Sequence, residues 1–540
     1  MKNNIIYFII IFSSLYGRNF IYDEESWHSI LAPEEITSIT YNRDKVFFSS
    51  TNGLFIYNKW YNDFFYADYI LNGIDNKNIF ITHYDKYRDK IWILNPEYLL
   101  YKTEGSNVWI TVNFSSIGIA NSRRIINIGS SPDYIVLQTR YKQYIFLDPF
   151  TGNLIDNIGY EDIDNQLINV IWSSTSKSLL NNNIDLNKYY IFDGWDIISS
   201  NEITKNSKRL YITCTLTQHN GKKWFGTHTG ELFFADQYSY ELEKFEAIPP
   251  ITNINIAYID NKNEWWIADN NWLYNSLDIL YNQEIIFLSH WNEENNIWTK
   301  LFQKRYPQIL SKDINILLRV EDTLYIGTTR GLLIYYIKSD KWEHVDISDG
   351  LSGNNINDIV YFNDILYIAT SQGLSKLSKI INKPINSIDL LHNKNISDIC
   401  FSDGLLYMVT DIGLYYLDIT AENVIQITNR KFNNIEESDG RIILSNKSTL
   451  FILNPDFSID MIKRFDKIKS FDLCNNYIWI NSSNEASIYN FDSNFELTYN
   501  TSDGIVGDLI DDLGCIDPWI WFSTNKGLSL YNWRRFHHEK

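Results

Sequence analysis

The chain has 540 residues, of which 44% are hydrophobic and 16% aromatic, more apolar material than one ordinary domain buries. Its formal net charge of −19 argues against nucleic acid and anionic lipid as partners, because both attract basic surfaces. The 17 Trp, 37 Tyr and 30 Phe, set against ten Pro, favour strands, since large aromatic side chains suit a pleated, half-buried surface.

The N-terminus resembles an export signal. Lys2 precedes an apolar run from Ile5 to Phe12, and small and polar residues follow through Gly17. The run is much shorter than the roughly 20 residues of a membrane span, and no later apolar stretch is long enough either. We therefore expect residues 1–17 to be a cleaved signal peptide and the protein to be periplasmic or secreted; the alternative is a buried first strand.

Four cysteines are widely spaced along the chain: Cys214, Cys400, Cys474 and Cys515. None forms a Cys-x-x-Cys or Cys/His pattern, which argues against a zinc site or a redox pair. The simplest expectation is that all four are small apolar residues within strands.

An eight-residue motif recurs along the chain and decides the fold class. Tyr325–Leu332 recurs closely at Tyr367–Leu374 and Trp521–Leu528, and nearly as well at Trp224 and Phe47. Weaker copies bring the number of starting positions to twelve: 47, 92, 136, 172, 224, 266, 325, 367, 407, 443, 479 and 521. The mean interval is about 43 residues, the length of one four-stranded propeller blade.

The columns of this octet predict the tip of a β-hairpin. The first position is aromatic or aliphatic, as expected of a buried strand residue, and the fourth is always Thr, Ser, Asn or Asp, whose side chains accept backbone hydrogen bonds in turns. The seventh position is Gly in six copies, where the chain needs positive φ to reverse. These structural glycines are Gly53, Gly230, Gly331, Gly373, Gly413 and Gly527.

Sheets repeated in this way must hide their edges, and radial closure into a propeller does so. One ring holds about 4–8 blades, so twelve units predict an all-β fold of tandem β-propellers with about twelve to fourteen four-stranded blades. We assign residues 18–275 to an N-terminal propeller and 276–540 to a C-terminal one, with the boundary within about 245–310. Ser276 to Trp298 is interpreted as an insertion, and an open β-solenoid is the alternative architecture.

One segment resembles a known family. Asp349–Ile359, followed by Leu366–Thr370 and Gly373-Leu374, is similar to the two-component-regulator propeller repeat, and Asp503–Ile505 is a poorer copy. The resemblance implies an extracytoplasmic sensor ectodomain of paired propellers. The chain ends soon after its last hairpin without the family's neck, membrane helix or output domain, so we expect it not to signal alone.

A second resemblance concerns the start of the mature chain. Trp27-His28 with Ile36 to Tyr57 looks like the first blade of propeller proteins attached to the type IX secretion machinery, although that system's C-terminal sorting domain is absent. This resemblance implies a structural scaffold of an envelope or secretion complex as the alternative function.

Catalytic residues are not predicted. His219 and His228 flank one hairpin, and streptogramin-lyase propellers use a loop His with a divalent metal, so a metal-dependent lyase is an outside alternative. Their spacing matches no metal motif, and we expect no catalytic residue, metal or cofactor. The adjacent pairs Asp511-Asp512 and Glu436-Glu437 are placed on loops. Neighbours along a strand point to opposite faces, so such pairs are not expected to converge on one proton or metal.

Aromatic clusters are the remaining candidates for a binding site. Trp60-Tyr61 and Trp265-Trp266 fit blade packing better than a ligand surface. Trp291 and Trp298, within the supposed insertion, are predicted as ligand-binding residues, and a site is expected at one mouth of a central channel.

The sequence therefore predicts an exported, non-enzymatic β-propeller protein of binding or sensor type. It would recognise a glycan or protein ligand and exist as a monomer unless it belongs to a complex. A scaffold should instead co-purify stoichiometrically with envelope proteins.

Overall fold

The repeated octet folds as a hairpin because its polar side chains satisfy the turn. In the computed structural model, Thr328 Oγ1 accepts a hydrogen bond from the Arg330 backbone N–H at 3.1 Å and lies 2.7 Å from the carbonyl oxygen of Gly331. Thr370, Thr410 and Thr524 repeat both contacts. The predicted role of the fourth position is thereby confirmed, since the side chain bonds a backbone group that the turn leaves unpaired.

The structure describes residues 27–536 apart from 72–73, 75–76, 107, 142, 156–162, 177–183, 206–207, 246–253, 255, 260–263, 269–285, 293–296, 303–313, 381–382 and 386–390. The predicted signal peptide, residues 1–17, lies outside the described residues. Within the described residues, three short α-helices are α1 (Asp68–Leu71), α2 (Ile163–Leu167) and α3 (Trp533–Phe536). Single 3₁₀ turns span Phe114–Ile117, Ser122–Arg124, Leu186–Lys188, Ile337–Ser339 and Ile347–Asp349.

The remaining regular secondary structure of the described residues consists of β-strands. The first strands in chain order are β1 (Trp27–Ile30), β2 (Ile36–Tyr41), β3 (Lys45–Ser50), β4 (Gly53–Asn58), β5 (Asp63–Tyr66), β6 (Ile81–Asp85), β7 (Lys90–Leu94), β8 (Leu99–Thr103), β9 (Ile110–Val112), β10 (Ile125–Ser130), β11 (Ile135–Thr139), β12 (Tyr144–Leu147), β13 (Ile171–Trp172), β14 (Ser174–Thr175), β15 (Tyr190–Ile191), β16 (Asp196–Ser199), β17 (Glu202–Lys205), β18 (Lys208–Thr217), β19 (Lys223–Thr227), β20 (Leu232–Ala235) and β21 (Glu241–Lys244).

The later strands are β22 (Ile256–Ile259), β23 (Glu264–Ala268), β24 (Ile286–Asn292), β25 (Ile297–Phe302), β26 (Ile314–Val320), β27 (Thr323–Thr328), β28 (Gly331–Tyr336), β29 (Lys341–Val345), β30 (Ile356–Phe362), β31 (Ile365–Thr370), β32 (Gly373–Ser378), β33 (Lys383–Ile385), β34 (Ile396–Ser402), β35 (Leu405–Thr410), β36 (Gly413–Asp418), β37 (Asn423–Thr428), β38 (Asn434–Ser438), β39 (Arg441–Ser445), β40 (Thr449–Leu453), β41 (Ile459–Arg464), β42 (Ser470–Cys474), β43 (Tyr477–Asn481), β44 (Ala486–Asn490), β45 (Glu496–Tyr499), β46 (Ile510–Ile516), β47 (Trp519–Thr524) and β48 (Gly527–Tyr531).

These strands form eleven sheets within the described residues, and most are four-stranded, antiparallel and consecutive in sequence. The fold is all-β and arranged as tandem β-propellers, as predicted. The first position of the octet lies on the second strand of each sheet and is buried in all eleven: Phe47, Trp92, Val136, Trp224, Trp266, Tyr325, Tyr367, Tyr407, Ile443, Trp479 and Trp521. Burial of this column, which is aromatic in nine of the eleven sheets, therefore contributes to hydrophobic stabilisation.

The twelfth octet, starting at Trp172, is expected to be a hairpin tip, and the structure describes it only as far as Ser176. Trp172 lies on β13, which pairs with the first strand of the third sheet, and β14 just after it pairs with β2 of the first sheet. The described part of this segment therefore pairs with two different sheets. Residues 177–183, which include the end of the octet, lie outside the described residues. The number of blades per ring stays a prediction.

Strands of successive sheets contact one another in two closed series. One series runs through β2, β6, β10, β14 and β18 and returns to β2, and we call its sheets the N-terminal ring. The other runs through β22, β26, β30, β34, β38, β42 and β46 and returns to β22, and we call its sheets the C-terminal ring. The strands of each series are the innermost strands of that ring, so the turns that follow them lie near the ring axis.

The last sheet is completed by the beginning of the described chain. Trp27 of β1 lies opposite Tyr531 of β48 in an antiparallel pair, and Ile30 lies opposite Leu528. Trp27-His28 therefore belongs to the sheet formed by the end of the chain, which differs from the first blade expected for it. The pairing covers an edge that β48 would otherwise expose.

Two further expectations are corrected by the strand assignments. The supposed insertion up to Trp298 contains β24 and β25, the third and fourth strands of the sheet that begins at Ile256. Cys474 and Cys515, expected to be unpaired apolar residues, form a disulfide with their Cα atoms 5.9 Å apart. They lie on the first strands of neighbouring sheets, a juxtaposition that their separation of 41 residues, about one repeat, permits. Cys214 and Cys400 are free and buried, as expected.

Gly331→Val is expected to lower the free energy of unfolding by about 1–3 kcal/mol. Gly331 has a φ of 121°, and a Cβ there would lie 2.6 Å from the Val345 carbonyl oxygen. Gln372→Ala, at the exposed position just before Gly373 in the next hairpin, is the control and should change stability by less than about 0.5 kcal/mol. Urea unfolding of both variants measures this, and a larger loss for Gln372→Ala would contradict the turn assignment.

Candidate functional site

A pocket of about 900 Å³ opens among the turns of the N-terminal ring. Its walls come from the turn after β2, the turn after β6 and the turn after β18, together with Lys59 after β4. Since β2, β6 and β18 are innermost strands, their following turns converge at one mouth of the ring. A binding site is most often a concavity where several loops of a rigid scaffold meet.

Two lysines and one aromatic ring form the centre of the pocket. The Lys86 ammonium lies 3.5 Å from the centroid of the Tyr41 ring, and the Lys59 ammonium lies 5.5 Å from it. His219 packs edge-on against the same ring at 5.6 Å. Ammonium groups this close to an aromatic face are stabilised by its quadrupole.

The two lysines differ in how their charges are satisfied. Lys59 donates hydrogen bonds to the carbonyl oxygens of Asn42 at 3.0 Å and Arg43 at 2.9 Å, which orients the turn after β2. Lys86 is half-buried and has no hydrogen-bond or ion-pair partner among the described residues. Burial first, and then the nearby charge of Lys59, lower the pKa of Lys86 to about 8. A half-buried cation without a counter-charge is therefore present in the pocket.

The carboxylates of the pocket are already engaged. Glu104 forms an ion pair with Lys45 at 3.1 Å and lies 2.7 Å from the Tyr84 hydroxyl. Asp44 accepts a hydrogen bond from the Trp60 indole N–H at 2.7 Å. The lining contains four cationic side chains, from Arg43, Lys45, Lys59 and Lys86, against three carboxylates, from Asp44, Asp89 and Glu104. A locally positive pocket on a chain of net charge −19 is suited to an anion.

A donor in the pocket wall also lacks a partner. Gln218, only 5% exposed, follows β18, and its side-chain Nε2 has no acceptor among the described residues. Buried amide groups in proteins are nearly always hydrogen-bonded, so a buried amide N–H without an acceptor is unusual. Lys86 and Gln218 together make this wall rich in donors that have no acceptor.

No family model matches the chain. None of the curated proteins is similar to it in sequence. Membership of the two-component-regulator propeller family accordingly stays a prediction.

Among solved structures, the chain is similar to extracellular domains of Bacteroides proteins. A putative one-component system from B. thetaiotaomicron is 16% identical, with 96% of this chain and 76% of that chain covered and a TM-score of 0.43. A putative hybrid two-component system from the same organism is 14% identical, with 95% and 76% covered and a TM-score of 0.42. PorZ, a surface component of the type-IX secretion system of Porphyromonas gingivalis, is 10% identical, with 94% and 87% covered and a TM-score of 0.45. Likenesses this distant do not identify a ligand for this chain.

His219 and His228 do not form one site. His219 lies in the turn after β18, beside Tyr41, whereas His228 follows β19 and accepts a hydrogen bond on Nδ1 from the Tyr211 backbone N–H at 3.1 Å. The five-residue strand β19 separates them by roughly 16 Å at about 3.3 Å per residue. Within the described residues, no three His, Cys, Asp or Glu side chains are placed to hold one metal ion.

The structure places Trp291 in the hydrophobic core. It is 6% exposed, stacks with His28 and packs against Trp265, so its indole is inaccessible to a ligand. Trp298 lies opposite Trp291 on β25, and its side chain lies outside the described residues.

The six structural glycines all have positive φ, from 91° at Gly230 to 156° at Gly527, and each lies at or just before the start of a third strand.

Carboxylates converge in the C-terminal ring, contrary to expectation. Glu436 and Asp512 were assigned to loops, but they lie on the first strands β38 and β46, where Asp358, Asp398 and Asp472 occupy similar positions on neighbouring sheets. Neighbours within one strand do point apart, as argued, yet ring closure brings equivalent positions of five sheets together. The sequence signal for this cluster is the acidic residue near the start of each of these first strands.

Three of these five carboxyl groups accept hydrogen bonds from the backbone of a neighbouring sheet. Asp358 accepts from the Ile399 N–H at 3.0 Å, Asp398 from the Ile435 N–H at 2.8 Å and Asp472 from the Cys515 N–H at 2.6 Å. Each contact joins two adjacent sheets. Asp358 and Asp398 also hydrogen-bond to each other, which requires a proton on one of them.

Burial raises the pKa of all five carboxyl groups, and neighbouring carboxylates raise the pKa of several further. For Asp472 and Asp512 the value is about 6. Glu436, which interacts with the other four, has a pKa well above its usual range. The folded protein therefore holds protons on these carboxyl groups to higher pH than an exposed carboxyl group would.

None of the helices in the described part of the chain has the length and hydropathy needed to cross a membrane.

Proposed function

We propose that this chain is an extracytoplasmic, non-enzymatic propeller protein that binds an anionic ligand in the pocket at the mouth of the N-terminal ring. The observation that carries the proposal is the Lys86 ammonium, half-buried over Tyr41 without a partner among the described residues. Keeping an unpaired cation partly out of water costs free energy. A ligand carboxylate, sulfate or phosphate would offset that cost.

The rest of the pocket supports binding more than reaction. Lys59 and Trp60 hold the turn after β2 from two sides through hydrogen bonds of 2.7–3.0 Å. The turn is thus preorganised, which reduces the entropy lost on binding. His219 contacts Tyr41 in a T-shaped arrangement. The lyase alternative would need metal-dependent turnover that is lost on changing His219 or His228.

An extracytoplasmic location is supported by the Cys474–Cys515 disulfide. Disulfides persist in oxidising compartments and are rare in the cytosol. The N-terminal resemblance to a signal peptide points the same way.

The proposed division into propellers follows the two closed series of strand contacts. The N-terminal propeller would extend from Ile36 to Phe245, and the C-terminal propeller from Ile256 to Tyr531, completed by Trp27–Ile30. The boundary would then lie between residues 245 and 256, inside the interval of 245–310 expected from sequence and before residue 275. The sheet that begins at Ile256 and continues to Phe302 argues for the earlier position.

The first test is a thermal-shift screen of residues 18–540 against neutral and acidic oligosaccharides, acidic and basic peptides, and inorganic phosphate and sulfate. A ligand at about 100 times its Kd should stabilise the fold by about 2.7 kcal/mol, a rise in Tm of several degrees. We expect anionic compounds alone to produce the shift, and Lys86→Met to remove it.

Lys338→Met is the matched control, because Lys338 is exposed and pairs with Asp322 on the C-terminal ring. It should leave the shift unchanged. A shift that survives Lys86→Met would place the ligand elsewhere. No shift with any compound, together with stoichiometric co-purification of envelope proteins, would favour the scaffold function.

A further inference from the structure

An ordered aromatic surface lies beside the pocket. Trp60 is 72% exposed and Tyr61 82% exposed, although both side chains are large and apolar. The Trp60 indole is held by its hydrogen bond to Asp44, and its backbone N–H donates to Asn58 at 3.0 Å. An exposed indole that is fixed in orientation presents a flat face for stacking at little cost in conformational entropy.

The aromatic surface and the unpaired cation are connected by one short turn. Lys86 packs on Tyr41, the last residue of β2, and Trp60 bonds to Asp44 three residues later. Three residues of chain span at most about 10 Å. A single ligand larger than an inorganic ion can therefore reach both the Lys86 ammonium and the Trp60 indole.

The pocket lining also contains several polar side chains. Asn42, Asp89 and Asn220 line the pocket, and Gln218 contributes its unpartnered amide. A ligand rich in hydroxyl groups both donates and accepts hydrogen bonds and matches such a wall. A bound helix would require an apolar groove, which this lining lacks apart from aromatic rings.

We infer that the ligand of this pocket is an acidic oligosaccharide, with a sugar carboxylate bound to Lys86 and a sugar ring stacked on Trp60. This inference rests on the proposed function and adds the class of ligand to it. The ammonium supplies charge recognition, the indole recognises the apolar face of a sugar ring, and the polar wall binds hydroxyl groups. An acidic peptide would satisfy Lys86 and leave the exposed indole without a role.

Calorimetric titration of residues 18–540 with oligogalacturonate, oligoglucuronate and alginate oligomers tests the inference directly. At least one of the three should bind, and its fully methyl-esterified form should bind at least tenfold more weakly, because esterification removes the charge and keeps the ring. Lys86→Met and Trp60→Ala should each weaken binding at least tenfold. Lys338→Met should have no effect.

The pH profile separates a role for Lys86 in binding from a role in folding. Because the pKa of free Lys86 is about 8, affinity should fall about tenfold between pH 7 and pH 9 as the ammonium loses its proton. Lys86→Arg stays protonated throughout this range and should bind equally well at both pH values. An unchanged melting temperature for each variant shows that the fold is intact.

The outcomes distinguish the two levels of the proposal. Lys86-dependent binding of acidic peptides or of inorganic phosphate, without binding of any uronate oligomer, would overturn the sugar inference and leave the anion pocket standing. Uronate binding that ignores Lys86→Met, or equal binding of the methyl ester, would overturn both.

Discussion

Trp27→Ala is expected to destabilise the C-terminal ring by about 3–5 kcal/mol, the usual cost of removing a buried Trp. Trp27 is 8% exposed and stacks with Tyr531 at a centroid distance of 4.7 Å and with Phe522 at 6.0 Å. It also begins β1, the strand that covers the edge of β48. The substitution therefore removes both an aromatic core and the anchor of the strand that closes the ring.

Chemical denaturation followed by intrinsic fluorescence and circular dichroism measures this loss. Trp60→Ala is the matched control, because the same substitution at an exposed indole should change stability by less than about 0.5 kcal/mol. If Trp27→Ala unfolded at the same denaturant concentration as the unmodified protein, β1 would not close the ring in solution. A selective loss of one of two transitions would additionally show that the rings unfold separately.

Glu436→Gln is expected to make the protein more stable at pH 8, by about 1–3 kcal/mol, and to have little effect at pH 4. The pKa of Glu436 is raised well above its usual range by burial and then by the other four carboxylates of the cluster. The folded state therefore holds its proton to higher pH than the unfolded chain does. Stability contributed by that proton is complete below pH 4 and is lost as pH rises through the pKa of the folded state.

The free energy of unfolding should depend on pH through the other carboxyl groups of the cluster as well. Because the pKa of Asp472 and Asp512 is about 6 when folded, the free energy of unfolding should fall as pH increases from 4 to 8. Glu436→Gln should make this slope shallower. Gln at this position keeps the shape of the side chain and removes the charge.

Glu437→Gln is the control on the same strand. Its Oε1 accepts a hydrogen bond from the Gly440 backbone N–H at 2.8 Å, which a glutamine oxygen can also accept. Urea unfolding of both variants at several pH values gives the comparison. An equal pH slope for Glu436→Gln and the unmodified protein would show that the five carboxylates do not share protons in the folded state.

Much of the local architecture could be predicted from sequence because it depends on residues close in the chain. A Thr three residues before a Gly forms the turn hydrogen bonds seen at Thr328 and Thr370, and Gly supplies the positive φ that the turn needs. A repeat of about 43 residues then yields one sheet per copy.

The candidate site was not predicted, since it depends on residues far apart in sequence. Tyr41, Lys59, Lys86 and His219 come from three different sheets, and only His219 had been considered, for a different chemistry. From sequence, a Lys in a turn is expected to be a solvated surface residue. Only the structure shows which aromatic ring it packs on. Trp291 and Trp298 were selected because their segment resembled an insertion, and the structure makes that segment two ordinary strands.

The sequence by itself determined the hairpins, their glycine turns and the buried aromatic column, since hydrogen bonds and hydrophobic periodicity within a repeat are local. Only the tertiary structure decided that Trp27 pairs with the end of the chain, that Cys474 meets Cys515, and that Lys86 lies on Tyr41. Only the tertiary structure decided, too, that the carboxylates of five sheets converge. The physical reason is ring closure, which brings equivalent positions of separate repeats within contact distance. The sequence of one repeat does not indicate which residues of another repeat it will contact.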